Sequence, residues 1–336
     1  MTRRVIPSEA RDLFRHVATR AAGAALFLAA SSALPQAYPA KPILVVSTAS
    51  PGSSGDAALR LMAAKMTASL GQPVVVELKT AARGAQAAQA LSRAGADGYT
   101  LTYGTSGTYV NARFLFKNLA FDVLKDFAPI SLAVSSPSYV VVNASVPVNS
   151  LKELIDYAKR NPGKLEYAST GVGSVFHLTG ESLKLYAGID LLHVPYAQAN
   201  FSQMINDWAS GRVALWFPTY AFLAPNLANK VKPLAIVDAR RSSRLSYLPT
   251  VAEIVPGFQG FPAWWAFFGP AGLPPSIADR LSVEVRTALN APDVQAKLND
   301  LGLSTLASTP EELDTHLRRE IDAVGNLVKA IGLKPE

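Results

Sequence analysis

With 336 residues the chain is long enough for two domains that each bury a core, and 49% apolar against 17% charged residues rules out a disordered chain. The net charge of +7 could signal nucleic acid, yet three of those charges belong to residues 1–37, where Arg3, Arg4, Arg11, Arg15 and Arg20 outnumber Glu9 and Asp12. The remaining lysines and arginines are scattered without a basic stripe or interleaved aromatics, so no nucleic-acid partner is expected.

The arginine-bearing start runs into an apolar stretch at 21–30 (AAGAALFLAA) and then small residues, the pattern of a secretory signal peptide over residues 1–37. Cleavage after Ala37 would leave Tyr38 first but puts Pro35 three residues back. Cleavage after Ala33, with Ser31 three back, fits the small-residue rule better. The apolar stretch is too short to span a bilayer and no later one approaches about 20 residues, so no membrane helix is expected. With no cysteine there is neither a disulfide framework nor a thiolate site, and the expected location is the periplasm.

From residue 41 strand and helix alternate. A buried strand at 43–46 leads through the turn at 48–56 into a helix with Leu59, Leu61, Met62 and Met66 on its apolar side. Strand 73–77, helix 85–93 and strand 99–103 follow at the spacing of parallel crossovers. A second turn cluster, 104–108 with Ser106, stands at the carboxyl end of that third strand, the edge at which open parallel sheets bind ligands.

Strands at 130–134 and 139–142 carry the chain into a second domain. Ser150 and Glu153 are spaced as a capping box for a helix from 151, which Asn161, Pro162 and Gly163 stop. A short strand at 165–168 then meets Ser169, Thr170, Gly171, Val172, Gly173 and Ser174 before an amphipathic helix. Glycines and hydroxyls at a helix start make a nest for an anion, because the first turn of a helix leaves N–H groups unpaired. The turn at 48–56 has the same build, with Thr48, Ser53, Ser54, Gly55 and Asp56 as its candidates. Strands at 191–194 and 213–217 flank a helix carrying Phe201, Met204, Ile205 and Trp208, read as core. A strand at 234–237 precedes the return to the first domain, and helices near 276–289, 292–300 and 310–330 complete the chain. The fold class is α/β with two Rossmann-like lobes: residues 38–136 and 239–336 form lobe 1 and residues 137–238 form lobe 2. A two-strand hinge joins them, with the cleft between the lobes as the ligand site.

The motifs of catalysis fail. GSSG at 52–55 and GTSG at 104–107 are not the G-x-S-x-G elbow of a serine nucleophile. The dinucleotide fingerprint begun by Gly171 and Gly173 has Phe176 at its third glycine. No pair of histidines has metal spacing. No enzyme, cofactor or metal is therefore expected; a hydrolase or isomerase acting on a carboxylate is the remote alternative. His177, one turn beyond Ser174, either faces the cleft or is structural; His193 reads as structural, and Asp56 as a helix cap that could also meet a ligand.

The ordered set ADGYTL at 96–101, SGT at 106–108 with Asn111, LKDFAPISL at 124–132, PGKLEYAS at 162–169, HVPY at 193–196, LPTVAE at 248–253 and GPAGLP at 269–274 resembles the solute-binding proteins of tripartite tricarboxylate transporters, the Bug receptors. The likeness covers nearly the whole chain from Tyr38. It implies a type II periplasmic binding protein, a monomer that captures a small organic carboxylate and delivers it to integral membrane transporter subunits; a receptor reporting to a sensor kinase would look the same. It further implies that the carboxylate meets the turns at 48–56 and 170–174, with Ser106 and Tyr196 nearby. The family's aromatic in the first turn is Ala49 here, two of its glycines are Ser53 and Ser54, and its Gly-rich stretch after the second strand contains Arg83, which is expected to serve an anionic ligand.

Overall fold

In chain order the strands are β1 (Ile43–Ser47), β2 (Val74–Leu78), β3 (Thr100–Thr105), β4 (Phe127–Ser136), β5 (Tyr139–Asn143), β6 (Glu166–Ser169), β7 (Leu192–Pro195), β8 (Leu215–Trp216), β9 (Val231–Ile236), β10 (Ala263–Pro270) and β11 (Ser304–Thr305). The helices are α1 (Ser54–Leu70), α2 (Ala85–Ser92), α3 (Ala112–Leu115), α4 (Leu151–Arg160), α5 (Val175–Ala187), α6 (Phe201–Ala209), α7 (Tyr220–Leu223), α8 (Val251–Ile254), α9 (Pro275–Asn290), α10 (Pro292–Asp300) and α11 (Pro310–Ala330), with one π turn at Gly107–Asn111. This computed structural model describes residues 38–80, 84–196, 200–224, 230–241 and 244–335. The signal-peptide reading and Arg83 lie outside the described residues. Among those residues no helix is long and apolar enough to cross a membrane.

The strands form two sheets, one for each lobe. The first runs β11-β4-β10-β3-β1-β2 and the second β7-β6-β8-β5-β9. β1 pairs in parallel with β2 and β3, as the spacing of strand and helix predicts. The departure is β10, which lies antiparallel between β3 and β4 in the middle of the first sheet. Seven of its eight residues, in the run AWWAFFGP, are buried, so it is a strand covered on both faces. The chain leaves the first sheet through Pro137 and Ser138 and returns to it only at β10.

Each lobe packs helices on its sheet. In the second, Val140 and Val142 of β5 face a core completed by Leu154 of α4, Leu183 of α5 and Val251 of α8. Their alternates Tyr139 and Val141 face Met204 and Trp208 of α6, which confirms that helix as core. In the first, Trp264, Ala266 and Phe268 of β10 pack with Tyr109, Val110 and the apolar side of α11. The rings of Tyr109 and Phe268 stack with centroids 4.2 Å apart.

Local signals set most boundaries. Pro275, Pro292 and Pro310 each stand at the first turn of a helix, where a missing N–H costs nothing. Thr309 and Glu312 form a complete capping box for α11. The box expected at α4 is only half made: Ser150 accepts the N–H of Glu153, but the Glu153 carboxylate reaches back to the N–H of Asn149 instead of Ser150. β8 is shorter than the expected 213–217 because the N–H of Val213 closes the end of α6 by donating to the Asp207 carbonyl.

Candidate ligand site

The turn from β1 to α1 is built by its own side chains. Ser53 caps α1 by accepting the N–H of Asp56, and Asp56 in turn accepts the N–H of Gly52 at 3.0 Å. The other oxygen of Asp56 faces Nε of Arg60 at 2.9 Å. Asp56 thus holds the turn through Oδ2, while Oδ1 is in the ion pair with Arg60. Once these bonds are counted, the N–H groups of Ser54 and Gly55 have no partner among the described residues, as the first turn of a helix requires. Gly55 is needed there for a second reason. A Cβ on it would sit 2.5 Å from the indole of Trp265, so only glycine lets that ring lie across the helix start.

The end of β3 supplies the next groups. The cluster expected as a turn at 104–108 is strand through Thr105; Ser106 then opens the π turn. Thr105 pairs with Trp265 across the sheet, and its hydroxyl lies 3.2 Å from that of Thr108. Thr48 and Thr108 both close on Gly84, the N-cap of α2. Four buried polar atoms at this edge lack a hydrogen-bond partner among the described residues: Thr48 Oγ1, Ser106 Oγ, Asn111 Oδ1 and Trp265 Nε1. Leaving such a group unpaired costs about 1–3 kcal/mol, so each calls for a partner from water or from a bound polar molecule.

The turn from β6 to α5 is held by two histidines. Nδ1 of His177 accepts the N–H of Gly173 at 3.0 Å, and Nε2 of His193 lies 2.6 Å from Ser169 Oγ, which also accepts the N–H of Gly171. The two rings lie 4.4 Å apart. Burial lowers the pKa of His177; burial and then the neighbouring His177 lower that of His193 to about 4. Both are therefore neutral at pH 7, and His177 holds the turn through Nδ1. Ser174 caps α5 by accepting the N–H of His177. Two of the donors expected in the nest, the N–H groups of Gly171 and Gly173, are consumed inside the turn. Those of Thr170, Val172 and Val175 have no partner among the described residues.

The second turn meets the first lobe at the π turn and α3. Asn111 Nδ2 donates to the Gly173 carbonyl at 3.5 Å, and Leu178 of α5 is buried in the core of the first lobe. Leu115 of α3 lies directly against Gly173. Tyr196 stands behind the turn, its carbonyl 3.8 Å from where a Gly171 Cβ would lie, and its hydroxyl donates to Asp207 at 2.9 Å. Burial and that carboxylate raise its pKa to about 12. Trp265 and Leu115 carry no motif: one sits in the apolar run of β10 and the other is an ordinary helix residue. Among the described residues no group of three His, Asp or Glu side chains could hold a metal ion.

Residues 58–333 match the profile of a family described as "Tripartite tricarboxylate transporter family receptor". A protein of Pseudomonas sp. (strain P51), "UPF0065 protein in tcbD-tcbE intergenic region", is 34% identical over 313 residues, which are 91% of this chain and 92% of that protein. The solved structure "R. palustris Rpa4515 with adipate" is similar with a TM-score of 0.75 at 31% identity, over 89% of this chain and 100% of the other. Periplasmic binding protein BugD is similar with a TM-score of 0.71 at 29% identity, again over 89% and 100%.

Proposed function

The chain belongs to the tripartite tricarboxylate transporter receptor family, and from that premise we propose that it captures a small dicarboxylate between its lobes and hands it to the membrane subunits of such a transporter. Receptors of this family are periplasmic and bind their solutes rather than transform them. Export of this chain by residues 1–37 is part of the proposal.

The observation that carries the ligand class is the set of unpaired donors. Ser54 and Gly55 offer N–H groups at the start of α1, beside Thr48 Oγ1, Ser106 Oγ and Trp265 Nε1. Val175 offers another at the start of α5. Two helix starts, one from each lobe, suit a molecule with a carboxylate at each end, each favoured by about 0.3–1 kcal/mol from the helix dipole alone. The R. palustris relative was solved with adipate, a molecule of that kind. The two crossings between the sheets, at Pro137–Ser138 and between β9 and β10, serve as the hinge, and a ligand that touches both lobes favours the closed form.

A thermal-shift series over succinate, glutarate, adipate, malate and citrate tests the reading. A true ligand at about 100 times its Kd adds roughly 2.7 kcal/mol of stability. A protein stabilised only by monocarboxylates or by neutral sugars would overturn the dicarboxylate assignment.

A further inference from the structure

Away from the two turns, the structure contains a cavity of about 920 Å³ on the α11 side of β4. Its wall is drawn from both lobes: Tyr139 of β5 and the segment after β9 on one side, Arg319 and Glu320 of α11 on the other. None of Thr48, Ser106, Trp265 or the residues of the β6–α5 turn lines it. It is large enough for an organic ligand, since such sites span about 300–1,000 Å³.

The lining combines aromatic rings with arginines. Phe258 contributes apolar surface, while Trp264 and Phe261 are almost wholly buried, and Arg240, Arg241, Arg244 and Arg319 contribute cations. Arg241 is held by Glu253, and Arg244 reaches Asp300 at 3.7 Å while lying over the Tyr220 ring. Arg240 and Arg319 are exposed and make no ion pair among the described residues. Three acids share the wall with them, and the Arg240 charge acts on one of these, Asp238. Glu320 is buried, accepting the Trp264 indole N–H and lying 2.8 Å from His316 Nε2. Burial raises the pKa of Asp238, against the pull of the Ala239 and Arg240 N–H groups. Asp322 is the third acid.

We propose that this hinge-side cavity is a second ligand site, for a flat aromatic carboxylate whose ring lies against Phe258 while its carboxylate pairs with Arg240 and Arg319. Guanidinium groups bind carboxylates through paired N–H donors and stack on aromatic faces, so the two halves of the lining suit the two halves of one molecule. The assignment is independent of what the cleft binds.

Isothermal titration with 2-naphthoate tests it on the wild-type chain, on Arg240→Ala/Arg319→Ala and on Ser106→Ala/Asn111→Ala. Both arginines are exposed, so the first double variant keeps its fold, which an unchanged Tm verifies. Binding that falls at least tenfold in the arginine variant, survives in the cleft variant and persists in the presence of saturating adipate is the expected result. Unchanged affinity in the arginine variant, loss in the cleft variant alone, or no heat from the wild type up to about 10 mM 2-naphthoate would each overturn the proposal. Silence of adipate in the absence of 2-naphthoate would speak only against the dicarboxylate cleft.

Discussion

Gly173 and Leu115 face each other across the two lobes so closely that a Cβ on the glycine would lie 2.0 Å from Leu115 Cδ2. The backbone of Gly173 is also in the left-handed region, φ +73°. One residue therefore combines a conformation suited to glycine, a contact only glycine permits, an N–H held by His177 and a carbonyl held by Asn111. Replacement by alanine or valine strikes the point where the lobes touch. Gly173→Val is expected to weaken ligand binding at least 100-fold, measured by titration calorimetry, and to leave an open form visible as a larger radius of gyration in X-ray scattering. Gly173→Val together with Leu115→Ala should recover part of the affinity, because the second change removes the side chain that the first one meets.

Thr48→Val and Ser106→Ala should move stability and binding in opposite directions. Each removes a buried hydroxyl with no partner among the described residues, so the unliganded protein should be as stable as wild type or more so by up to about 1–3 kcal/mol. In the proposed site each would also remove a hydrogen bond to the ligand, with an expected affinity loss of about tenfold. Chemical denaturation of the ligand-free protein and calorimetry of the complex separate the two effects. A loss of both together would make these hydroxyls structural.

Acid should loosen the β6–α5 turn. His177 and His193 are neutral in the fold with lowered pKa values, so between pH 6.5 and about 4 the unfolded chain binds more protons than the folded one. Stability is then highest above pH 6.5 and falls as the pH drops through that window. Among the groups facing this pair, Glu181 opposes the fall and Lys184 reinforces it. Protonation of His177 also replaces the acceptor of the Gly173 N–H with a donor. Tm recorded from pH 8 to pH 4 should show the decline, and His193→Gln should flatten it. A parallel decline in the variant would place its origin elsewhere.

Leu178 is 1% exposed and belongs to α5 of the second lobe, yet it is buried in the core of the first. Leu178→Ala should cost about 2–5 kcal/mol when the closed, liganded protein is unfolded. Less should be lost from the free protein if that docking is released on opening. Denaturant unfolding with and without saturating ligand measures both.

Much of the architecture is readable from local chemistry. α9, α10 and α11 begin at proline, and Thr309 with Glu312 caps the start of α11. The parallel strands β1, β2 and β3 stand out as short apolar runs between turns. What escapes is β10, whose place between β3 and β4 is set by partners more than 120 residues earlier in the chain and by no local signal. The site divides in the same way. Ser53, Ser54, Gly55 and the residues from Ser169 to Ser174 announce helix starts, whereas Trp265 reaches the cleft only because β10 is there. Nor could spacing show that His177 would spend Nδ1 on Gly173, since that depends on the ring's orientation against His193.

The central position of β10 also orders events during synthesis. β3 and β4 are made early, and neither pairs with the other; the slot between them waits for residues 263–270. Until those arrive the first sheet is interrupted, with two unpaired edges where its middle should be, and a nucleus built on such distant contacts forms slowly. Under the proposed export of this chain, that delay would keep it threadable until nearly all of it had been delivered.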